Sequence, residues 1–85
     1  MNLYTVTFAR SARRELEALS RPLIARVFKR IETLASDPRP AGCRKLVGQV
    51  NLWRIRVGDY RVLYEVDDEK CAVDVVAVRH RKDAY

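Results

Sequence analysis

The sequence is poor in the residues that most directly announce chemistry. It contains one histidine, His80, and two cysteines, Cys43 and Cys71. A zinc site needs short-spaced ligand pairs, which these residues do not make. No metal or other cofactor is expected. Two free, partly buried thiols in a reducing compartment are expected, and nothing in the spacing argues for a disulfide. No apolar run approaches the roughly 18 residues of a membrane span, so no membrane partner is expected. The opening "MNLYTVTFAR" lacks the charged, apolar and small-residue regions of a secretory signal. The expectation is a cytoplasmic protein. Repeats, low-complexity tracts and linkers are also missing. Eighty-five residues leave little room for a second core, so a single domain over 1–85 is expected.

Acid is the other shortage. Lysine and arginine total 17 against 11 acids, for a net charge of +6. That surplus favours a polyanionic partner, either nucleic acid or an acidic protein. The charge is unevenly placed. Between Arg39 and Arg61 stand Arg39, Arg44, Lys45, Arg54, Arg56 and Arg61, against the single acid Asp59. "RHRK" at 79–82 adds more base, while acids collect at "EVDDE", 65–69.

Hydrophobic residues make up 48 % of the chain, enough for a compact core. "LYTVTF" (3–8) alternates as a half-buried strand does. In "RSARRELEALS", Ala12, Leu16 and Leu19 fall at helical spacing. "SRP" (20–22) ends that helix, and Ser20 is placed to cap a second one with Pro22 in its first turn. Ile24, Val27, Ile31 and Leu34 form the second stripe, which "SDPRPAG" (36–42) stops. Residues 43–50 are ambiguous between loop and short edge strand. "NLWRIRV" (51–57), "YRVLYEV" (60–66) and "CAVDVVAVR" (71–79) read as strands, the first two joined by a Gly58–Asp59 turn. The expected fold is α+β, a two-helix hairpin on one face of a small, mainly antiparallel four-stranded sheet.

Side chains alternate faces along a strand. Folding the hairpin about Gly58–Asp59 buries Trp53, Ile55, Val57, Tyr60, Val62 and Tyr64 beneath the helices. The opposite face receives Arg54, Arg56, Arg61, Leu63 and Glu65, with Arg56 directly across from Arg61. Like charges so placed are destabilising, and crowded guanidinium groups suit a bound phosphate or carboxylate. If Asp67 pairs with Lys70, the last strand sets Val75 beside Val62 and Val76 beside Arg61. It then adds Cys71, Val73 and Val75 to the core face, and Asp74, Val76, Val78 and His80 to the open face. Strict alternation leaves Arg81 off that face unless the strand bends or bulges after Val78.

"KLVGQVNLWRIRVGDYRVLYEVDDE", followed by "VVAVRHRKDAY", resembles the RelE-type toxins of the RelE/ParE toxin–antitoxin superfamily, and the likeness includes "TVTFARSARRELEAL". The resemblance implies a microbial-RNase-like fold and cleavage of mRNA in the ribosomal A site. It also implies neutralisation by a RelB-like antitoxin in a heteromeric complex. The alternative is a ParE-like inhibitor of DNA gyrase with no nuclease activity. By the same resemblance Arg54, Arg61, Arg81 and Tyr85 are candidate catalytic residues, joined by His80. Arg56, Arg44 and Lys45 are candidates for binding RNA phosphates.

Metal-independent RNA cleavage asks for three things: deprotonation of the 2′-OH, stabilisation of charge on the phosphoryl oxygens, and a proton for the 5′-oxygen. Arg54, Arg56 and Arg61 would stabilise the charge. Tyr85 would stack on a base or orient the nucleophile. His80 has the intrinsic pKa for acid or base work. If the family's use of basic residues holds, Arg81 would be the acid, with Arg54 a poor base because arginine stays protonated. So sparse a set of acids and bases fits an enzyme whose substrate is oriented by a large partner.

Overall fold

The computed structural model describes residues 3–82. Its elements are β1 (Thr5–Phe8), α1 (Arg10–Glu17), α2 (Arg21–Thr33), β2 (Arg44–Lys45), β3 (Leu52–Val57), β4 (Tyr60–Asp67) and β5 (Ala72–His80). The two-helix, α+β expectation holds. The sheet has five strands rather than four, in the order β1-β5-β4-β3-β2. β1 runs parallel to β5. Parallel neighbours need a long connection, and two helices and three strands lie between these two. The fifth strand is β2, two residues of the ambiguous segment, paired antiparallel with β3.

The helices form for the reasons legible in their spacing. α1 buries Ala12 and Leu16, while α2 buries Val27 and Ile31, with Leu34 buried just beyond its end. Ser20 sits at the N-cap of α2 in extended backbone and Pro22 lies in the first turn, but the Ser20 hydroxyl makes no capping bond. These side chains pack on Ile55, Val57, Val62, Tyr64, Val66, Val73, Val75 and Val78 to form one core. Each buried Val, Leu or Ile contributes about 1.5–3 kcal/mol. Among the described residues no helix is long and apolar enough to cross a membrane.

The β3–β4 register matches the expectation, with Arg56 opposite Arg61 and Ile55 opposite Val62. The β4–β5 register does not. Asp67 pairs with Ala72, because Cys71 turns at φ 50° and Lys70 N–H caps the Asp67 carboxylate at 3.0 Å. The turn is therefore longer than expected and the register slips by two. A slip of two leaves every side chain on its face, so Val73 and Val75 stay in the core. A β-bulge then intervenes. Tyr64 pairs with Val75 and Leu63 with Ala77, leaving Val76 as the extra residue. That single-residue shift reverses the faces of everything after it. Val78 goes to the core and Arg79 comes opposite Arg61. His80 moves away from the arginine face. The strand does bulge, but before Val78 and not after it.

Candidate functional site

The open sheet face is laid out in rows across the strands. One row runs Arg56, Arg61, Arg79 over β3, β4 and β5. The next runs Arg44, Arg54, Leu63, Ala77. Directly opposed side chains have Cβ atoms about 4.5–5.5 Å apart, so these arginines leave the sheet as neighbours. Arg54 is only 8 % exposed, Arg61 is half-buried and Arg56 is exposed. At the other end Leu52 faces Glu65, which faces Asp74. Asp74 accepts a hydrogen bond of 2.9 Å from Thr7 Oγ1. The face thus grades from basic through apolar to acidic. In its middle Leu46, Val47, Leu52, Leu63, Val76 and Arg79 line an open groove of about 630 Å³.

Backbone and side-chain bonds position the basic end. Arg61 donates through Nη2 to the Arg81 carbonyl at 3.2 Å. The Arg81 N–H donates to Asp59 O at 2.7 Å, and its Nε lies 3.7 Å from the Asp59 carboxylate. Arg81 is thereby tied to the β3–β4 turn, next to Arg61. From the far side of β3, Arg30 Nη1 donates to the Arg56 carbonyl at 3.3 Å.

Of the residues singled out in the sequence, Arg44, Arg54, Arg56 and Arg61 share one face, with Arg81 at its rim. Two do not join them. Lys45 pairs with Trp53, so it belongs to the helix-side face of the edge strand. His80 lies opposite Tyr60, its ring edge-on to the phenol at 5.2 Å between centroids. Its Nδ1 accepts from Lys82 N–H at 3.2 Å. The bulge carried it there, and the open-face placement of both His80 and Val78 is corrected accordingly. Tyr85 lies outside the described residues.

A second polar cluster, built around one arginine, sits at the other end of β4. Arg39 grips Asp68 with both terminal amino groups, at 3.1 and 2.8 Å. Its guanidinium lies 5.0 Å from the Trp53 ring centroid. Asp68 also accepts from the Tyr4 hydroxyl at 2.7 Å. The bonds from Arg39 and then Tyr4 hold the Asp68 carboxyl below the usual carboxylate range, and the same bonds push the Tyr4 phenol and the Arg39 guanidinium up. Beside them the buried Tyr64 hydroxyl donates to Pro38 O at 2.7 Å, and burial pushes its phenol up.

Set against known proteins, residues 6–85 match the family model described as the ParE toxin of the type II toxin–antitoxin system parDE. The chain is 37 % identical over 86 residues to Toxin RelG of Mycobacterium tuberculosis, covering 96 % of this chain and 95 % of that one. The chain belongs to the RelE/ParE family of type II toxins. Its fold matches that of the RelBE2 toxin–antitoxin complex of the same organism with a TM-score of 0.85, at 34 % identity over 98 % of this chain and 97 % of the other. It also matches the archaeal RelE–RelB complex of Pyrococcus horikoshii, with a TM-score of 0.84 at 26 % identity over 96 % and 99 % of the two chains. For isolated Escherichia coli RelE the TM-score is 0.82, at 26 % identity over 95 % and 87 %.

Sequence reasoning about this toxin missed two residues of the basic end, Arg79 and Glu15. Glu15, on α1, accepts from Val78 N–H at 2.9 Å and from Arg79 Nε at 3.2 Å. Arg79 did leave a signal. Strict alternation sets it in line with Val73 and Val75, inside the core, and an arginine there argues for a bulge before it. Glu15 left none, because its partner is a sheet-edge N–H that only the topology exposes.

Proposed function

We propose that the toxin is a ribosome-dependent endoribonuclease that cleaves mRNA in the A site, acts in the cytoplasm, and is held in check by a RelB-like antitoxin. The observation that carries this reading is the row of arginines beside Arg54 on a sheet face that the helices leave open. Its geometry suits a phosphodiester. Arg54, Arg56 and Arg61 would stabilise charge on the phosphoryl oxygens as the 2′-OH attacks phosphorus. The P–O5′ bond breaks, the 5′-oxygen takes a proton, and a 2′,3′-cyclic phosphate remains. DNA, lacking the 2′-OH, would be spared. Arg81, held beside Arg61, is the better-placed candidate for the proton donor, with Tyr85 orienting the nucleophile or stacking on a base. Arg44 would bind a neighbouring phosphate. His80 and Lys45 face away from the row, and we assign them no direct part in the reaction.

A partner that orients the RNA supplies what this site lacks. Holding reactants in place can contribute several kcal/mol, and the ribosome would do so here. Antitoxin control is supported by the RelB partners of the matched RelE structures. The second reading is inhibition of DNA gyrase without cleavage, favoured by the ParE description of the matching family model.

Inducing the toxin in cells and timing translation against replication separates the two. Translation should stop first. In a programmed ribosome, 2′-O-methylation at the scissile nucleotide should block cleavage. Early arrest of replication with intact mRNA would establish the gyrase reading instead.

A further inference from the structure

We propose that Arg79 binds an RNA phosphate beside the one held by Arg61, and that Glu15 is its positioning residue. The inference rests on the nuclease reading and extends its substrate contacts by one strand. Three observations carry it.

The first is placement. Arg79 is the β5 member of the Arg56–Arg61–Arg79 row, and it also borders the open groove on that face. A chain crossing from Arg56 to Arg79 would meet guanidinium groups on three successive strands. Long side chains at that spacing can reach successive phosphates.

The second is how Arg79 is held. Glu15 takes its Nε at 3.2 Å. A guanidinium has five N–H donors in a planar fork, so a bond through Nε leaves the two terminal amino groups for a phosphate. The side chain is 37 % exposed, open enough for a ligand to reach. A fork already fixed loses less freedom when it binds.

The third is what Glu15 does besides neutralising charge. Its other oxygen accepts from Val78 N–H, at an edge of β5 beyond the reach of β1, which pairs only as far as Val75. The carboxylate therefore fastens the strand immediately after the bulge. It fixes both the backbone that aims Arg79 and the guanidinium itself. A contact that merely tied α1 to the sheet would not need to hold both.

Single-turnover cleavage on programmed ribosomes, measured across a range of salt, tests this. Wild-type cleavage is the first arm. If wild type does not cut, the nuclease reading falls and takes this inference with it, and that failure is visible without any variant. Given cleavage, Arg79→Ala should lower the second-order rate by roughly 10- to 100-fold, as loss of a charged hydrogen bond does. It should also flatten the slope of log rate against log salt by about 0.7, the signature of one lost phosphate contact on a single strand. Arg79→Lys should keep the slope. Glu15→Ala should cost about tenfold, and Glu15→Gln, which keeps one acceptor oxygen but sets an NH2 against the other donor, should recover only part of that loss. Combined with Arg79→Ala, Glu15→Ala should add little, because it acts through Arg79. Wild-type rate and slope in a folded Arg79→Ala variant would overturn the proposal. So would full additivity of the two alanine substitutions, which would make Glu15 a separate structural tie.

Discussion

At one end of β4, Asp68 grips Arg39 with two hydrogen bonds while the guanidinium lies over Trp53. At the other end, Arg61 stands between Arg56 and Arg79 on the neighbouring strands. The first arrangement matches a cation with an anion and an aromatic face, both of which lower its energy. The second sets like charges across strand pairs, which raises it. A small domain has only about 5–15 kcal/mol of net stability, and local violations of the rules of packing and pairing are expected where a site needs them. On the proposed function, the difference separates an arginine that holds the fold from arginines that would bind phosphate. It also makes the two ends respond differently to substitution.

The largest contrast should come from Arg61. Arg61→Ala should reduce toxicity and ribosomal cleavage by about 10²–10³-fold, the range for removing one preorganised charge-stabilising donor. Its melting temperature should stay level or rise, since a like-charge neighbour is removed from Arg56 and Arg79. A variant that folds and kills like wild type would end the view that this row grips phosphate.

Trp53 probes the opposite end. Its ring is half-buried, packs against the core and lies under Arg39. Its Nε1 donates to Asn51 Oδ1 at 3.4 Å. Trp53→Ala should cost about 3 kcal/mol, the lower end for large aromatics because burial is incomplete. Combined with Arg39→Ala, it should show a coupling of about 0.5–1 kcal/mol from the lost cation–π contact. Equilibrium unfolding in urea measures both. Unchanged stability with lost ribosome binding would move Trp53 from the fold to the site.

Much of this arrangement is legible in the sequence. The β3–β4 hairpin announces its own register, because a two-residue turn with glycine leaves no slack, and Arg56 against Arg61 follows at once. The helices follow from the spacing of Ala12, Leu16, Val27 and Ile31. Two things were not legible. The parallel pairing of β1 with β5 joins segments at opposite ends of the chain, and no local pattern names a strand's distant neighbour. The bulge at Val76 lies within the run "VVAV", where every residue tolerates either face. Hydrophobic patterning there is too uniform to fix the register. The cost fell on His80 and Arg79, which exchanged faces. A register error of two, from the longer turn at Cys71, cost nothing because it preserved the pleat.

That exchange gives the third prediction. On the helix side of the sheet, His80 touches Tyr60 edge-on and accepts from Lys82 N–H, which guides the chain leaving β5. His80→Ala should therefore slow cleavage by less than about tenfold and leave the pH–rate profile in place. A true general acid or base would cost about 10²–10⁴-fold. A loss of that size, with the imidazole limb gone from the profile, would require His80 to reach the arginine face and would undo the register argument.

The smallest effect belongs to Asp68, and pH reveals it. Arg39 and Tyr4 hold its carboxyl below the usual range in the folded chain, while the unfolded chain titrates near 3.9. At neutral pH both states are ionised and the folded state keeps its bonds, so the stabilisation is fully present. As pH falls below about 3.9 the unfolded state takes up a proton first. The advantage then shrinks, and it is gone once the folded carboxyl is protonated as well. Asp68→Asn should therefore melt slightly below wild type at pH 7, and the gap should close on acidification. The ion pair is largely exposed, so added salt should also narrow the gap. Melting curves of both proteins from pH 7 to pH 3, at low and high salt, measure this. A gap that ignores both pH and salt would mean Asp68 acts through its shape. The end of β4 that looks electrostatically matched would then owe its stability to packing, as the core does, and the contrast with Arg61 would reduce to burial.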